Sequence, residues 1–372
     1  MEKKHHYFLD YIRVAGTCFV VFMHAAAGAL RYNAAAPGEN WHLLNIATSL
    51  AFSAVPLFFM ISGYLLFTSS NTPNVPYLFK KRIPRLLVPL IVYSLFSAIW
   101  LSINSAEGFQ LAAALKTFAA GVNTPVMVHF WFMYTLIAMY LASPILYGAV
   151  NSLNLSGRKY LFWLIAAAMG LCTLTAILPQ SVRTYLPYRF VSELLAFSNY
   201  ICALLLGWLF GQTERKISNK ALIAVAVADW ALITVMTARL TVQNVAYTAT
   251  WQAQSRGFEL ILAVCLFLLF KQNLDRPPGK LNRWVTPIAS LTFPIYLVHN
   301  LLISILCRFG FPALTALQVL ALTASVLILA YLLTKTAATI KPICFLCTGL
   351  SYEKACNTCN WVYPFRRKDQ QA

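Results

Sequence analysis

The sequence predicts an all-α integral membrane protein, a polytopic helical bundle of about ten transmembrane helices with both termini in the cytoplasm. Three observations carry this expectation. Hydrophobic residues make up 59% of the 372 residues and charged residues only 11%, well below the share usual in soluble domains. Apolar runs recur at close to the length that crosses a bilayer. Most of the 29 Lys and Arg residues fall in alternate connecting segments, and the positive-inside rule then puts the N-terminus inside. The net charge of +18 is therefore a topology signal first and an anion-binding signal second, and nucleic acid is not an expected partner.

The spans are expected at 10–30, 44–68, 86–103, 129–148, 160–178, 194–212, 221–238, 253–270, 286–306 and 314–334. The first carries Arg13 and, eleven residues on, His24. On an ideal helix these lie about three turns and about 16 Å apart on one face. An imidazole in hydrocarbon is hydrogen-bonded in packing, lines a cavity, or does chemistry. The run ends Ala25-Ala26-Ala27, the one hint of a cleavable signal, but Arg13 sits inside the apolar run rather than ahead of it.

The second span ends Ser62-Gly63-Tyr64. Gly63 permits close approach of a neighbouring helix or a ligand, and helix packing is the commoner use. Before the third span stand Arg82 and Arg85, three apart on one face with Pro84 between them. They are either interfacial positive-inside charge or a clamp for phosphate, which guanidinium groups bind in bidentate fashion. A polar loop is expected around 104–128. His129 and Trp131 open the fourth span, as ordinary interface anchors or as site residues. Asp229 and Glu259 fall in the seventh and eighth spans, where they neutralise one another, pair with arginines, or line a path. Glu193, at the entry of the sixth, is placed to meet Arg189. The ninth span carries Ser290, Tyr296 and His299, the last two sharing a polar side. In depth, Arg82 and Arg85 lie near the cytoplasm, and His24, His129 and His299 toward the opposite side.

After a membrane domain of 1–340 comes a basic, Cys-rich cytoplasmic tail, 341–372, with Cys344, Cys347, Cys356 and Cys359 as two C-x2-C pairs. This spacing suits a tetrahedral thiolate site for structural Zn²⁺. Palmitoylation, or a disulfide if the tail lies outside, are the alternatives. Cys18, Cys172, Cys202, Cys265 and Cys307 read as small packing residues.

These motifs together resemble the membrane-bound acyltransferase-3 family, whose members O-acylate surface polysaccharides and related molecules. The resemblance rests on Arg13 followed after ten residues by His24, on Phe58-Phe59-Met60-Ile61-Ser62-Gly63-Tyr64, on Arg82 with Arg85, on His129-Phe130-Trp131-Phe132, and on Ser290 to His299. It is to the short form without an appended extracytoplasmic domain, similar to acetyltransferases of enterobacterial common antigen or other lipid-linked sugars. The Cys-rich tail departs from that form.

The resemblance implies acyl-coenzyme A as donor, usually acetyl-coenzyme A, and an O-acetyltransferase in the bacterial cytoplasmic (inner) membrane. The acceptor would be a hydroxyl of a cell-surface glycan or its lipid-linked precursor. A neutral imidazole is suited to take the proton of a sugar hydroxyl, so His24 is expected as general base with Arg13 as its motif partner. Arg82 and Arg85 would engage coenzyme A phosphates, and Ser62, Gly63 and Tyr64 would shape the acyl channel. His129, Trp131, Tyr296 and His299 would line the acceptor site or tunnel. A backbone amide, Tyr296 or an arginine would stabilise the oxyanion. Direct transfer is favoured over a transient acyl-His24, though both fit. The alternative is a transporter or flippase of a glycan or lipid intermediate, since polar residues in spans mark transport paths as readily as active sites. A structural or sensory membrane protein is a third reading. Oligomeric state is not legible.

Overall fold

The computed structural model describes residues 5–178, 180–183, 185, 199–253, 257–275, 279, 281–311 and 313–358. Every regular element among them is helical. The main ones are α1 (Tyr7–Tyr32), α2 (Glu39–Ala51), α3 (Ala54–Thr68), α4 (Ile83–Ile103), α5 (Leu111–Ala120), α6 (Trp131–Asn151) and α7 (Leu155–Ile177). They are followed by α8 (Asn199–Gln212), α9 (Asn219–Asn244), α10 (Gly257–Leu274), α11 (Asn282–Arg308), α12 (Ala316–Thr339), α13 (Lys341–Thr348) and α14 (Tyr352–Thr358).

Among the described residues, 8 helical segments are long and apolar enough to cross a membrane. They stand at the first four and last four expected positions. Helices α7 and α8 take the places of the fifth and sixth expected spans but are not among the eight, and 194–198 lies outside the described residues. The protein is therefore all-α and polytopic.

Three local departures from the sequence reading have physical causes. The second span is two helices rather than one, broken at Phe52 and Ser53. Pro56 has no N–H to offer the carbonyl of Phe52, so the α ladder cannot run unbroken through this point, while Ser53 Oγ bonds back to the Leu50 carbonyl at 2.7 Å. The approach to α4 contains a turn of π-helix, Leu78–Arg82. Pro84 cannot donate to the carbonyl of Lys80, and the wider turn accommodates that loss. The segment expected as a polar loop around 104–128 contains α5, whose sequence LAAALKTFAA is apolar at helical spacing.

The chain divides into two compact units. Unit 1 comprises Met1–Pro73, Ser143–Pro277 and Ala313–Leu320; unit 2 comprises Asn74–Ala142, Pro278–Pro312 and Ala321–Ala372. In unit 1, α3 and α8 touch backbone to backbone. A Cβ on Gly63 would lie 1.8 Å from the Leu204 carbonyl oxygen, and one on Gly207 would lie 2.0 Å from that of Met60. Only glycine fits such a crossing, which is how helices associate where no hydrophobic effect drives them. Helix α1 packs on α3 with Gly16 against Phe58 and Phe8 against Tyr64, and on α2 through Trp41, whose Nε1 donates to the Leu30 carbonyl at 3.0 Å. Phe8 also meets Phe267 of α10 edge to face.

Unit 2 is built around α4 and α11, tied by Trp100 Nε1 donating to Ser304 Oγ at 2.9 Å. The tail's helix α13 packs against α4. Its C-terminal Gly349, at φ +67, is pressed to the backbone of Arg85, where a Cβ would lie 2.3 Å from the carbonyl oxygen. Both the left-handed φ and the close approach require glycine.

Candidate active site

In unit 1 the two ends of α1 differ in character. At the N-terminal end, the buried Asp10 carboxylate accepts from Arg13 Nη1 and from His5 Nε2, each at 2.8 Å. Beside it, Tyr64 Oη lies 3.2 Å from His6 Nε2, and His6 Nδ1 lies 3.0 Å from Asp275 Oδ2. Two members of the predicted site, Arg13 and Tyr64, therefore share this end with four residues the sequence reading had not assigned: His5, His6, Asp10 and Asp275. Asp10 had a signal, three residues ahead of Arg13. His6 and Asp275 had none, being 269 positions apart. Ser62 Oγ bonds the Phe58 carbonyl of its own helix at 2.8 Å, and Gly63 is occupied by the contact with Leu204.

His24 lies three turns beyond Arg13 on the same helix, partly buried. Elsewhere in this unit, Gln252 is fully buried and its Nε2 donates to Asn45 Oδ1 at 3.0 Å and Ser49 Oγ at 2.8 Å. Tyr247 donates its hydroxyl to Gln252 Oε1. Burial pushes the Tyr247 hydroxyl up; Arg31 opposes this and Glu259 adds to it. The sequence reading missed this amide network because neutral side chains barely disturb an apolar run. Glu259 is fully buried, and neither carboxylate oxygen accepts a hydrogen bond from a described residue. Asp229 is the carboxylate that acts on it electrostatically. The expected Glu193–Arg189 pairing lies outside the described residues. A wholly different feature of this unit is an apolar cavity of about 540 Å³, lined by Phe162, Met169, Gly170, Leu206, Phe258 and Val264 among others, which contains none of the predicted site residues.

Unit 2 brings three predicted residues together. His129 and His299 stack edge to face with ring centroids 4.6 Å apart, and Tyr296 lies 5.4 Å from His129. The Tyr296 hydroxyl donates to the His129 carbonyl. His129 Nε2 donates to the Leu297 carbonyl at 3.3 Å, and His299 Nδ1 donates to the Tyr296 carbonyl. Those carbonyls select the tautomers, so the lone pairs sit on Nδ1 of His129 and Nε2 of His299. His299 is fully buried, and His129 nearly so. Pro294 lies within α11, two residues before Tyr296 and five before His299, and removes a hydrogen bond from the ladder there. Trp131 is only partly buried and stands at the start of α6.

The arginine pair also lies in unit 2. The Arg82 guanidinium sits 5.6 Å from the centroid of the Tyr77 ring, at the end of the π turn. Arg85 is in the first turn of α4, its backbone sealed by Gly349.

A family profile described as "Acyltransferase domain" matches residues 6–335. The chain belongs to the membrane-bound acyltransferase-3 family. No curated protein and no solved structure matches it. Membership establishes the reaction class, acyl transfer by a polytopic membrane protein, and is consistent with a donor of the acyl-coenzyme A type.

The acyltransferase match stops short of the Cys-rich tail, and the described residues give the zinc expectation there no support. Among the described residues, no three His, Cys, Asp or Glu side chains converge on a point that could hold a metal ion. Cys344 is instead fully buried, its Sγ 3.4 Å from the Leu350 carbonyl oxygen and 3.7 Å from the Thr348 hydroxyl. Burial pushes the Cys344 and Cys347 thiols up. The first C-x2-C pair lies on α13, which docks on α4. Cys356 is on α14, and Cys359 lies outside the described residues.

Proposed function

We propose that this acyltransferase-3 protein transfers an acyl group, acetyl in the simplest case, from acyl-coenzyme A to a hydroxyl of a cell-surface glycan or its lipid-linked precursor. It would do so as a ten-helix protein of the bacterial inner membrane with both termini inside. The observation that carries the reading is the family match over 6–335 to a chain in which Arg13 and His24 ride one continuous helix.

His24 acts as general base. Its imidazole takes the proton of the acceptor hydroxyl as that oxygen attacks the thioester carbonyl. The tetrahedral intermediate then collapses, the C–S bond breaks, and coenzyme A leaves as a thiolate that takes up a proton, so the products are an ester and the free thiol. Arg82 and Arg85 hold the donor's phosphates, and Arg13 and Tyr64 line its path. In unit 2, His129, Tyr296 and His299 position the acceptor, with Trp131 as a stacking surface for a sugar ring.

Transport of a glycan or lipid intermediate is the second reading. It is favoured by the buried carboxylates Glu259 and Asp229, which an acyl-transfer step does not require. Transfer of label from radiolabelled acetyl-coenzyme A to membrane glycolipid or polysaccharide separates the two, comparing purified wild type with His24→Ala. Label entering the glycan fraction only when His24 is present supports acyl transfer. No transfer by intact wild type, across acyl donors and plausible acceptors, turns the assignment to transport.

A further inference from the structure

The acyl-transfer reading leaves His5, His6, Asp10 and Asp275 without a task, although they surround two of its residues. The most constrained of these contacts is the chain Asp275–His6–Tyr64, drawn from three separate elements of unit 1. We propose that this chain is a positioning relay for the acyl donor, in which His6 decides whether the Tyr64 hydroxyl is committed to the protein or offered to the donor's anionic part. The inference rests on the acyl-coenzyme A reading above and adds residues to it.

The geometry supports two states. When His6 is neutral, the carboxylate at 3.0 Å accepts from Nδ1–H, so Nε2 is the lone-pair nitrogen and the Tyr64 hydroxyl donates to it across 3.2 Å. When His6 is protonated, Nε2–H donates instead, the phenol oxygen accepts, and the phenol proton is released for a ligand. Asp275 holds the imidazole in both states.

The Tyr64 ring is closely packed: a Cβ on Gly211 would lie 2.2 Å from Tyr64 Cδ2, and its centroid is 6.0 Å from that of Phe8 and 5.5 Å from that of His6. What remains free is the direction of one O–H bond. The imidazole is also reachable, with 29% of its side chain exposed.

Other charged groups around His6 are largely committed. Lys271 donates to the Phe210 and Thr213 carbonyls, at 2.9 and 2.6 Å, and acts on Asp275 and Glu214. Arg13 and His5 are engaged with Asp10. A newly protonated His6 therefore adds one positive charge beside the phenol donor that it frees.

Distance agrees with a role at the anionic part of the donor. Coenzyme A carries its phosphates at the far end of a long pantetheine arm from the thioester. His6 precedes His24 by 18 residues, about 27 Å along α1.

The test is coenzyme A binding by the purified full-length protein in detergent micelles, measured by calorimetry from about pH 5.5 to about pH 8, the range in which histidines change charge. His6→Gln is the informative variant. Its amide donates to Asp275 and accepts from Tyr64, as neutral His6 does, but it cannot be protonated. Wild type and His6→Gln should bind equally near pH 8, and wild type should bind roughly tenfold more tightly near pH 5.5, the worth of one freed phenol donor beside a new positive charge. Comparing the two cancels the ligand's own phosphate titration. Tyr64→Phe in the His6 background should lose part of that gain. In turnover, His6→Gln should raise the KM for acetyl-coenzyme A at low pH and leave kcat within about twofold. If His6→Gln follows wild type at every pH, the relay is wrong while the donor reading stands. If wild type binds no coenzyme A at all, the donor reading and the relay fall together.

Discussion

His24 in unit 1 and the His129–His299 pair in unit 2 are imidazoles of one chain in different settings. The unit 2 pair is dry and tied. Each ring donates to a backbone carbonyl, the rings touch at 4.6 Å, and His299 has no exposed surface. Such histidines contribute packing and backbone satisfaction whatever else they do. His24 is partly buried on a helix whose other end carries an ion-paired, partly exposed cluster. The expected base and the unit 2 pair therefore differ in burial.

The largest expected effect follows from that contrast. His24→Ala should lower transfer by about 10² to 10⁴, the usual worth of a general base, and leave thermal stability nearly unchanged. His299→Ala should do something different. It removes the donor to the Tyr296 carbonyl and leaves a cavity beside His129, so a loss of about 3 kcal/mol in unfolding free energy is expected, with reduced expression. Thermal unfolding in detergent and initial transfer rates, measured on the same preparations, check both. A wild-type rate in His24→Ala, with His299→Ala stable but dead, would exchange the two roles.

Packing sets the next effect. Gly63→Ala drives a methyl group into the Leu204 carbonyl in unit 1. It should cost about 2–3 kcal/mol of stability, seen as a fall in unfolding temperature. Gly28→Ala is the control, because nothing lies within 4 Å of a Cβ there. If both variants unfold alike, the α3–α8 crossing is looser than the glycine contact implies.

The helices were legible because apolar runs of bilayer length have few alternatives. Arg13 and His24 were legible as a pair because both lie on α1 and helical spacing alone fixes their separation. The convergence of His129 with His299 was not, since it depends on which helix packs against which and links positions 170 residues apart. The same holds for His6 with Asp275. Gly63 was read correctly as a point of close approach, yet sequence does not say whether a helix or a ligand fills the space, and α8 does. The α2–α3 break was announced by Pro56, but the unbroken apolar composition hid it. Composition likewise hid α5, because polar residues on both sides outweighed its eight apolar positions. In the tail, cysteine spacing suggested a metal knuckle. The docking of α13 on α4, which buries Cys344, is a tertiary fact that no spacing encodes.

The smallest effect tests the contrast in kind rather than in size. At the N-terminal end of α1, Asp10 is buried but its partners are not: 29% of the Arg13 side chain and 49% of that of His5 are exposed. Exposure on that side lets salt and water compete, so Asp10→Asn should cost about 1 kcal/mol or less. The unit 2 cluster is held by hydrogen bonds to backbone carbonyls, which salt screens little. Raising sodium chloride from about 0.05 M to about 0.5 M shortens the Debye length roughly threefold. Hydrogen exchange should then quicken at the first-turn amides of α1 by up to about fivefold, while the amides of 296–300 stay within error, because their bonds are buried and neutral. Equal acceleration in both segments would mean that salt loosens the whole fold, and the distinction between a charged, wet site and a neutral, dry one would not hold.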